Sequence, residues 1–235
     1  MGTENIFLFN QPIIADEFLL DFIRHCPHPA NLKDAQTGRY LLANQSTVEI
    51  CGFQFEKQLI GLTVREIDGM IQARWGNTYA GVVEDLDQQV KTLRTSAEDK
   101  KRIIVENNGF IRVQNMMKIP IANHDKQVTS ILTYSCDITK DENLFYLFSV
   151  YKKFYSSKRM AIENFLRYLH IDNYFAQNIT EAELLVLLGM KYNQLYKEVA
   201  QKLGIQTKTV EIHAGNLRNK MKNGGLHRVL EKLRA

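Results

Sequence analysis

Cysteine is scarce here. The only three, Cys26, Cys51 and Cys136, lie far apart and form no CxxC pair. That argues against a disulfide framework or a cysteine-based zinc site and for reduced thiols in the cytoplasm. Long apolar runs are lacking too, and nothing approaches the roughly 18 consecutive residues of a membrane span. The opening MGTENIFLFNQPII has no basic segment ahead of its short apolar run, so no secretory leader is expected. MGTENI also lacks the hydroxyl residue of a myristoylation signal. No Ser-His-Asp set, paired-carboxylate site or Walker-type loop stands out, so no catalysis is expected.

What is present is an ordinary globular balance, 45% hydrophobic and 24% charged over 235 residues. That suits one large domain or two small ones. The net charge of +4 is unevenly placed. Residues 178–235 hold ten Lys/Arg and five Asp/Glu, 10 − 5 = +5, while residues 1–177 hold twenty and twenty-one, 20 − 21 = −1. A basic end on a near-neutral body suggests a polyanionic partner for that end alone.

After a lead over residues 1–14, the periodicity changes in a readable order. ADEFLLDFIRHC (15–26) has helical spacing, with Phe18, Leu19, Phe22 and Ile23 toward one side. Two short strands then flank a turn at Gln36-Thr37-Gly38, and several short helices follow to about residue 98. Ser46, with Glu49 three residues on, has the spacing of a capping box. Two strand-like runs surround Asn108-Gly109, a strong hairpin signal because both residues tolerate positive φ. ANHDKQ makes a second polar turn before VTSILTYSCDI. One antiparallel sheet with helices gathered on one face satisfies this order.

From the motifs NLKDAQTGRYLLANQSTVEICGFQFEKQLIGLTVREI, NGFIRVQNMMKIPI and the closing Asp137-Ile138-Thr139, residues 15–140 resemble a PAS domain. The resemblance implies an α+β unit with a five-stranded antiparallel sheet and a sensing role. Its interior is expected to hold a small apolar or mixed effector, or none. The cofactor is unknown: the Asn-Cys-Arg-Phe motif of covalent flavin sensors is absent, and no histidine lies in residues 60–100, where haem-binding PAS domains usually supply theirs.

Residues 141–177 read as a linker. Leu144, Leu147, Phe148, Tyr151, Phe154 and Tyr155 form an apolar helical stripe. It resembles the helix that leaves a PAS sensor and pairs with its copy in a homodimer; the alternative is that it folds back on its own sheet.

Residues 178–235 read as an all-α unit. In YKEVAQKLGIQTKTVEIH, Gly204 interrupts a helical pattern, which costs about 1 kcal/mol unless the chain bends there. Ala200 at a crossing, Gly204 at a turn, and apolar Val199, Leu203, Ile205 and Val210 make a helix-turn-helix. Ile179-Thr180 with Glu183, Lys197-Glu198-Val199-Ala200, Lys208-Thr209-Val210 with His213, and Lys220-Met221 resemble the LuxR/FixJ-type output domain. That resemblance implies double-stranded DNA as partner. It carries DNA contact onto Thr180, Lys197, Gln206, Thr207, Lys208, Thr209, Glu211, Ile212, His213, Asn216 and Lys220, with Lys197, His213, Arg218 and Lys220 serving phosphates or helix packing. Departures are Ala182, Gln206, Glu211 and Leu195-Tyr196, where the family has Arg, Ser, Lys and Ser-Asn. Two lost basic contacts and a groove-facing carboxylate weaken phosphate attraction, although a carboxylate can accept from cytosine.

Trp75, Tyr79 and Asp85 raise a rival, the autoinducer-binding half of quorum-sensing LuxR proteins, but no Asp-Pro follows and there is no second Trp. His28, His124 and Cys51 form no ligand set, and no metal is expected. The resulting expectation is a cytoplasmic, effector-responsive, dimeric transcriptional regulator. The alternative is a docking protein whose helix-turn-helix no longer binds DNA.

Overall fold

A computed structural model describes residues 5–8, 11–14, 17–71, 79–106, 108–193, 195–222 and 225–234. Trp75 lies outside them. The chain divides into two units, Met1–Lys140 and Asp141–Ala235.

In the first unit, β1 (Asn5–Leu8) and β2 (Gln11–Ile14) pair as an antiparallel hairpin within the expected lead. Then comes α1 (Glu17–His25). The main sheet comprises β3 (Ala30–Asp34), β4 (Tyr40–Ala43), β5 (Ala97–Val105), β6 (Ile111–Ala122) and β7 (Val128–Asp137). Its order is β4-β3-β7-β6-β5, antiparallel throughout. Between β4 and β5 run α2 (Gln45–Ile50), a 3-10 turn, α3 (Val64–Ile71) and α4 (Tyr79–Leu93). This is the α+β PAS arrangement that the motifs implied. Gly109, at φ +85°, makes the β5–β6 turn with a conformation that a side chain disfavours.

Local details differ from the sequence reading. Leu20 and Ile23 are the buried residues of α1, packed on Ala30, Leu32, Leu41 and Leu132, while Phe18 and Phe22 are exposed. The helix presents a face rotated from the expected one because β3 and β4 receive it on that side. Asn44, not Ser46, caps α2: its side-chain oxygen accepts from the Thr47 amide at 3.0 Å, and its amide donates to the Cys26 and His28 carbonyls. The closing Asp137-Ile138-Thr139 is a clamp on β6. Thr139 Oγ1 accepts from the Val113 amide at 2.8 Å, and Asp137 accepts from the Thr139 amide at 2.9 Å.

Strand alternation gives the sheet two unlike faces. Ala30, Leu32 and Leu132 meet α1. Asn31, Lys33, Thr133, Lys118 and Gln114 turn to the other face, which α2–α4 cover, and all five are buried there. Asp87 of α4 pairs with Lys33 at 3.0 Å and with Lys118. This interior is therefore mixed, with charged and amide groups beside Val83, Ile104 and Met116.

The second unit is all α: α5 (Leu144–Phe154), α6 (Lys158–Tyr168), α7 (Glu181–Tyr192), α8 (Tyr196–Leu203), α9 (Thr207–Lys220) and α10 (Gly225–Arg234). The stripe expected to pair across a dimer is core instead. Leu144, Leu147, Phe148 and Tyr151 are buried, leaving Tyr155 half-buried and Phe154 exposed. The reason is α6, which supplies Phe165 at ring distances of 5.3 Å from Phe148 and 5.2 Å from Tyr151. Lys152 of α5 also reaches Glu181 at the start of α7, at 2.6 Å. Residues 141–177 are therefore structural parts of the C-terminal unit, and the stripe folds onto neighbouring helices of that unit.

Candidate nucleic-acid interface

The turn between α8 and α9 explains the glycine. Gly204 has φ +65° and ψ +33°; its amide donates to the Gln201 carbonyl at 3.3 Å, and the Ile205 amide donates to Ala200 at 3.0 Å. These two bonds form a Schellman ending, which favours glycine for its left-handed backbone. A Cβ would meet nothing there, so conformation and not space selects the residue.

Val199 and Ala200 of α8 and Val210, Ala214 and Leu217 of α9 are buried, so α9 rests on α7 and α8 along one side. Its other side presents Lys208, Glu211, Ile212, Asn216 and Asn219 to solvent. Gln206 and Thr207 are exposed at its start and Thr209 is half-buried. Lys208 Nζ lies 3.4 Å from Glu211, so each neutralises the other in part. Asn219 was missed, although it continues the three- and four-residue spacing of Ile212 and Asn216.

Other expected contacts have structural partners. Thr180 caps α7: its hydroxyl accepts from the Glu183 amide at 3.3 Å while its own amide donates to Glu183 at 2.7 Å. Lys220 donates to both oxygens of Glu183, a buried side chain. Arg218 donates to the Tyr196 hydroxyl at 2.6 Å, joining α9 to α8. His213 is half-buried, and its Nδ1 is enclosed without a hydrogen-bond partner. Lys220 is thus held by Glu183 within the unit, and His213 is partly enclosed, in keeping with the packing role that was one of the two expected for each.

The basic charge of the unit is largely engaged internally. Lys202 Nζ sits 4.9 Å from the Phe145 ring and 4.5 Å from the Tyr192 ring. Lys222, Lys232 and Arg234 donate to backbone carbonyls of Asn173, His170 and Met190. Of the ten cations, Lys197 and Arg228 alone lack a partner among the described residues, and Lys208 has only its exposed neighbour Glu211.

Residues 177–232 match the family described as bacterial regulatory proteins, luxR family. They are a LuxR-type domain. No curated protein matches the chain. Among solved structures, the chain is similar to VqmA of Vibrio cholera in a ligand–DNA complex, at 18% identity, with 93% of this chain and 86% of that one covered and a TM-score of 0.48. It is also similar to the PAS domain of BvgS from Bordetella pertussis, at 21% identity, 58% and 94% coverage and a TM-score of 0.45. Among the described residues, no group of three or more His, Cys, Asp or Glu could hold a metal ion, and no helix is long and apolar enough to cross a membrane. Cys51 is buried, and burial pushes its thiol up to about 12, so it is an inert core group.

Proposed function

We propose that this chain is a cytoplasmic transcriptional regulator whose LuxR-type domain reads duplex DNA and whose PAS unit responds to a small effector. The observation that carries the reading is the two-sided α9 within a LuxR-type match: Val210, Ala214 and Leu217 hold it down, while Lys208, Glu211, Ile212, Asn216 and Asn219 face outward. These types suit a major groove. Asparagine pairs with adenine edges, a carboxylate accepts from cytosine N4, and an aliphatic group meets a thymine methyl. Lys197 and Lys208 supply phosphate contacts, few enough that the salt dependence should be shallow for a protein of this charge.

One recognition helix covers only a half-site, so the reading includes two copies acting together on DNA. Their contact must use surface other than the buried α5 stripe.

The test is titration of the full chain against its own upstream duplex and a scrambled one, at two salt concentrations. Wild type should prefer the upstream duplex. Lys208→Ala should weaken both and lower the log–log salt slope by about one unit per contact removed. Glu211→Lys should raise affinity for the scrambled duplex and narrow the preference. Absence of binding by wild type and by Glu211→Lys would sink the DNA-reading function in favour of a docking module.

A further inference from the structure

The covered face of the PAS sheet encloses a cavity of about 40 Å³, room for about three waters. Its lining is unusual in charge. Lys33, Arg102 and Lys118 are all buried around it, and among the described residues the one carboxylate paired to any of them is Asp87, so positive charge is in excess even with the Lys118 amine pushed down to about 7. Arg102 has no carboxylate partner among the described residues; its guanidinium meets the Met116 sulfur at 2.9 Å and lies 4.1 Å from the Tyr79 ring. Three more polar atoms at this cavity are enclosed without a partner among the described residues: Asn31 Oδ1, Gln114 Nε2 and Thr133 Oγ1. Three such atoms in one cavity, beside a guanidinium without a carboxylate, are the polar groups that a small polar ligand needs.

The backbone is arranged to deliver that guanidinium. Between Asp99 and Arg102, β5 carries one residue more than β6 opposite, and Lys101 takes φ +54° with its amide bonded to Asn115 Oδ1 at 3.0 Å. The extra residue reverses the alternation of the strand: Lys100 and Lys101 stay outside, while Arg102 and Ile104 turn in. A bulge that re-aims one side chain is a common device at sites.

We infer that the cavity binds a compact hydroxycarboxylic acid, of about six heavy atoms or fewer by its volume. Arg102 and the Gln114 amide donate to the carboxylate, which offsets the excess positive charge. The Asn31 carbonyl accepts from the hydroxyl beside it, and Thr133 completes either set. This identifies the effector class for the ligand-responsive half of the proposed function and rests on it.

The test uses the dialysed full chain titrated calorimetrically with glycolate, lactate, acetate and glycolamide. Glycolate or lactate should bind, acetate should bind about tenfold more weakly for want of the hydroxyl, and glycolamide should not bind measurably. Arg102→Met should abolish acid binding, and Asn31→Ala should bring glycolate and acetate close together. Thr133→Val, nearly isosteric, should weaken glycolate if the first two variants fail to fold. Equal affinity for glycolate and glycolamide, or no acid binding by folded wild type, would overturn the assignment. The same samples titrated with DNA separate the two readings: DNA binding without acid binding rejects only the ligand class, and acid binding without DNA binding rejects only the regulator.

Discussion

Lys220 Nζ donates to both carboxylate oxygens of Glu183, at 3.0 and 2.8 Å, and so ties the last turn of α9 to the first turn of α7. Glu183 is 2% exposed and takes one further bond from the Thr180 amide. A lysine at the end of a recognition helix thereby fixes the angle at which that helix is presented.

Lys220→Met should destabilise the C-terminal unit by about 2–3 kcal/mol, because a buried carboxylate loses its cation. Urea unfolding measures this. Burial pushes the Glu183 carboxyl up, but Lys220 and Thr180 more than offset it and hold it below 4.5. With the folded value depressed, the stabilisation is present above the unfolded value and is lost as pH falls through the folded one. Glu183→Gln should remove that acid-side loss. In DNA titrations under folding conditions, the salt slope of Lys220→Met should match wild type, and a slope lower by one contact would return Lys220 to the phosphates.

Gly189 of α7 lies against Val199 of α8, where an added Cβ would stand 2.7 Å from Val199 Cγ1. Alanine is the better helix former by about 1 kcal/mol, yet Gly189→Ala should destabilise by about 1–3 kcal/mol through overpacking. Combining it with Val199→Ala should recover part of the loss. A Tm for Gly189→Ala at or above wild type would show that α7 and α8 separate freely.

Asp87 holds two buried ammonium groups, so Asp87→Asn should cost the PAS unit about 3–5 kcal/mol. Burial pushes the Lys118 amine down to about 7, Lys33 adds to this, and Asp87 opposes it in part. The unfolded chain then binds more protons than the folded one between pH about 7 and the ordinary 10.5. Stability of this unit should therefore rise with pH across that window. Lys118→Met should flatten the rise in urea unfolding. An unchanged profile would place the titration on another group.

Leu195 begins α8 with an extended backbone and no side-chain cap. Leu195→Ser should stabilise the unit by about 1 kcal/mol by satisfying an amide of the first turn. It also removes an exposed aliphatic group. Thermal unfolding reads the gain, and a fall in Tm would show that Leu195 packs on something in solution.

What was legible in the residues was whatever neighbours in sequence decide. Gly204, the Asn108-Gly109 turn and the order of the strands follow from local backbone preference, and each took its expected place. The outward stripe of α9 followed from the LuxR/FixJ resemblance together with helical spacing, Asn219 excepted. Where the partner lies far along the chain, the residues were silent or misleading. Lys220 was left open between phosphates and helix packing because Glu183, thirty-seven residues away, is silent in a local window. The α5 stripe looked unpartnered because α6 hides its aromatic face in an ordinary amphipathic pattern. The inward Arg102 depends on a bulge that no composition signals.

The Lys202 ammonium between Phe145 and Tyr192 gives α5 a mechanical part. Only residues 140–143 separate the Thr139 clamp on the PAS sheet from Leu144, where α5 begins. From Phe145, on the first turn of α5, the ammonium leads straight to α8, the helix that supports α9. One gripped cation thus works as a rivet between α5 and α8 inside the C-terminal unit, and Lys202→Ala would loosen the seat on which α9 rests.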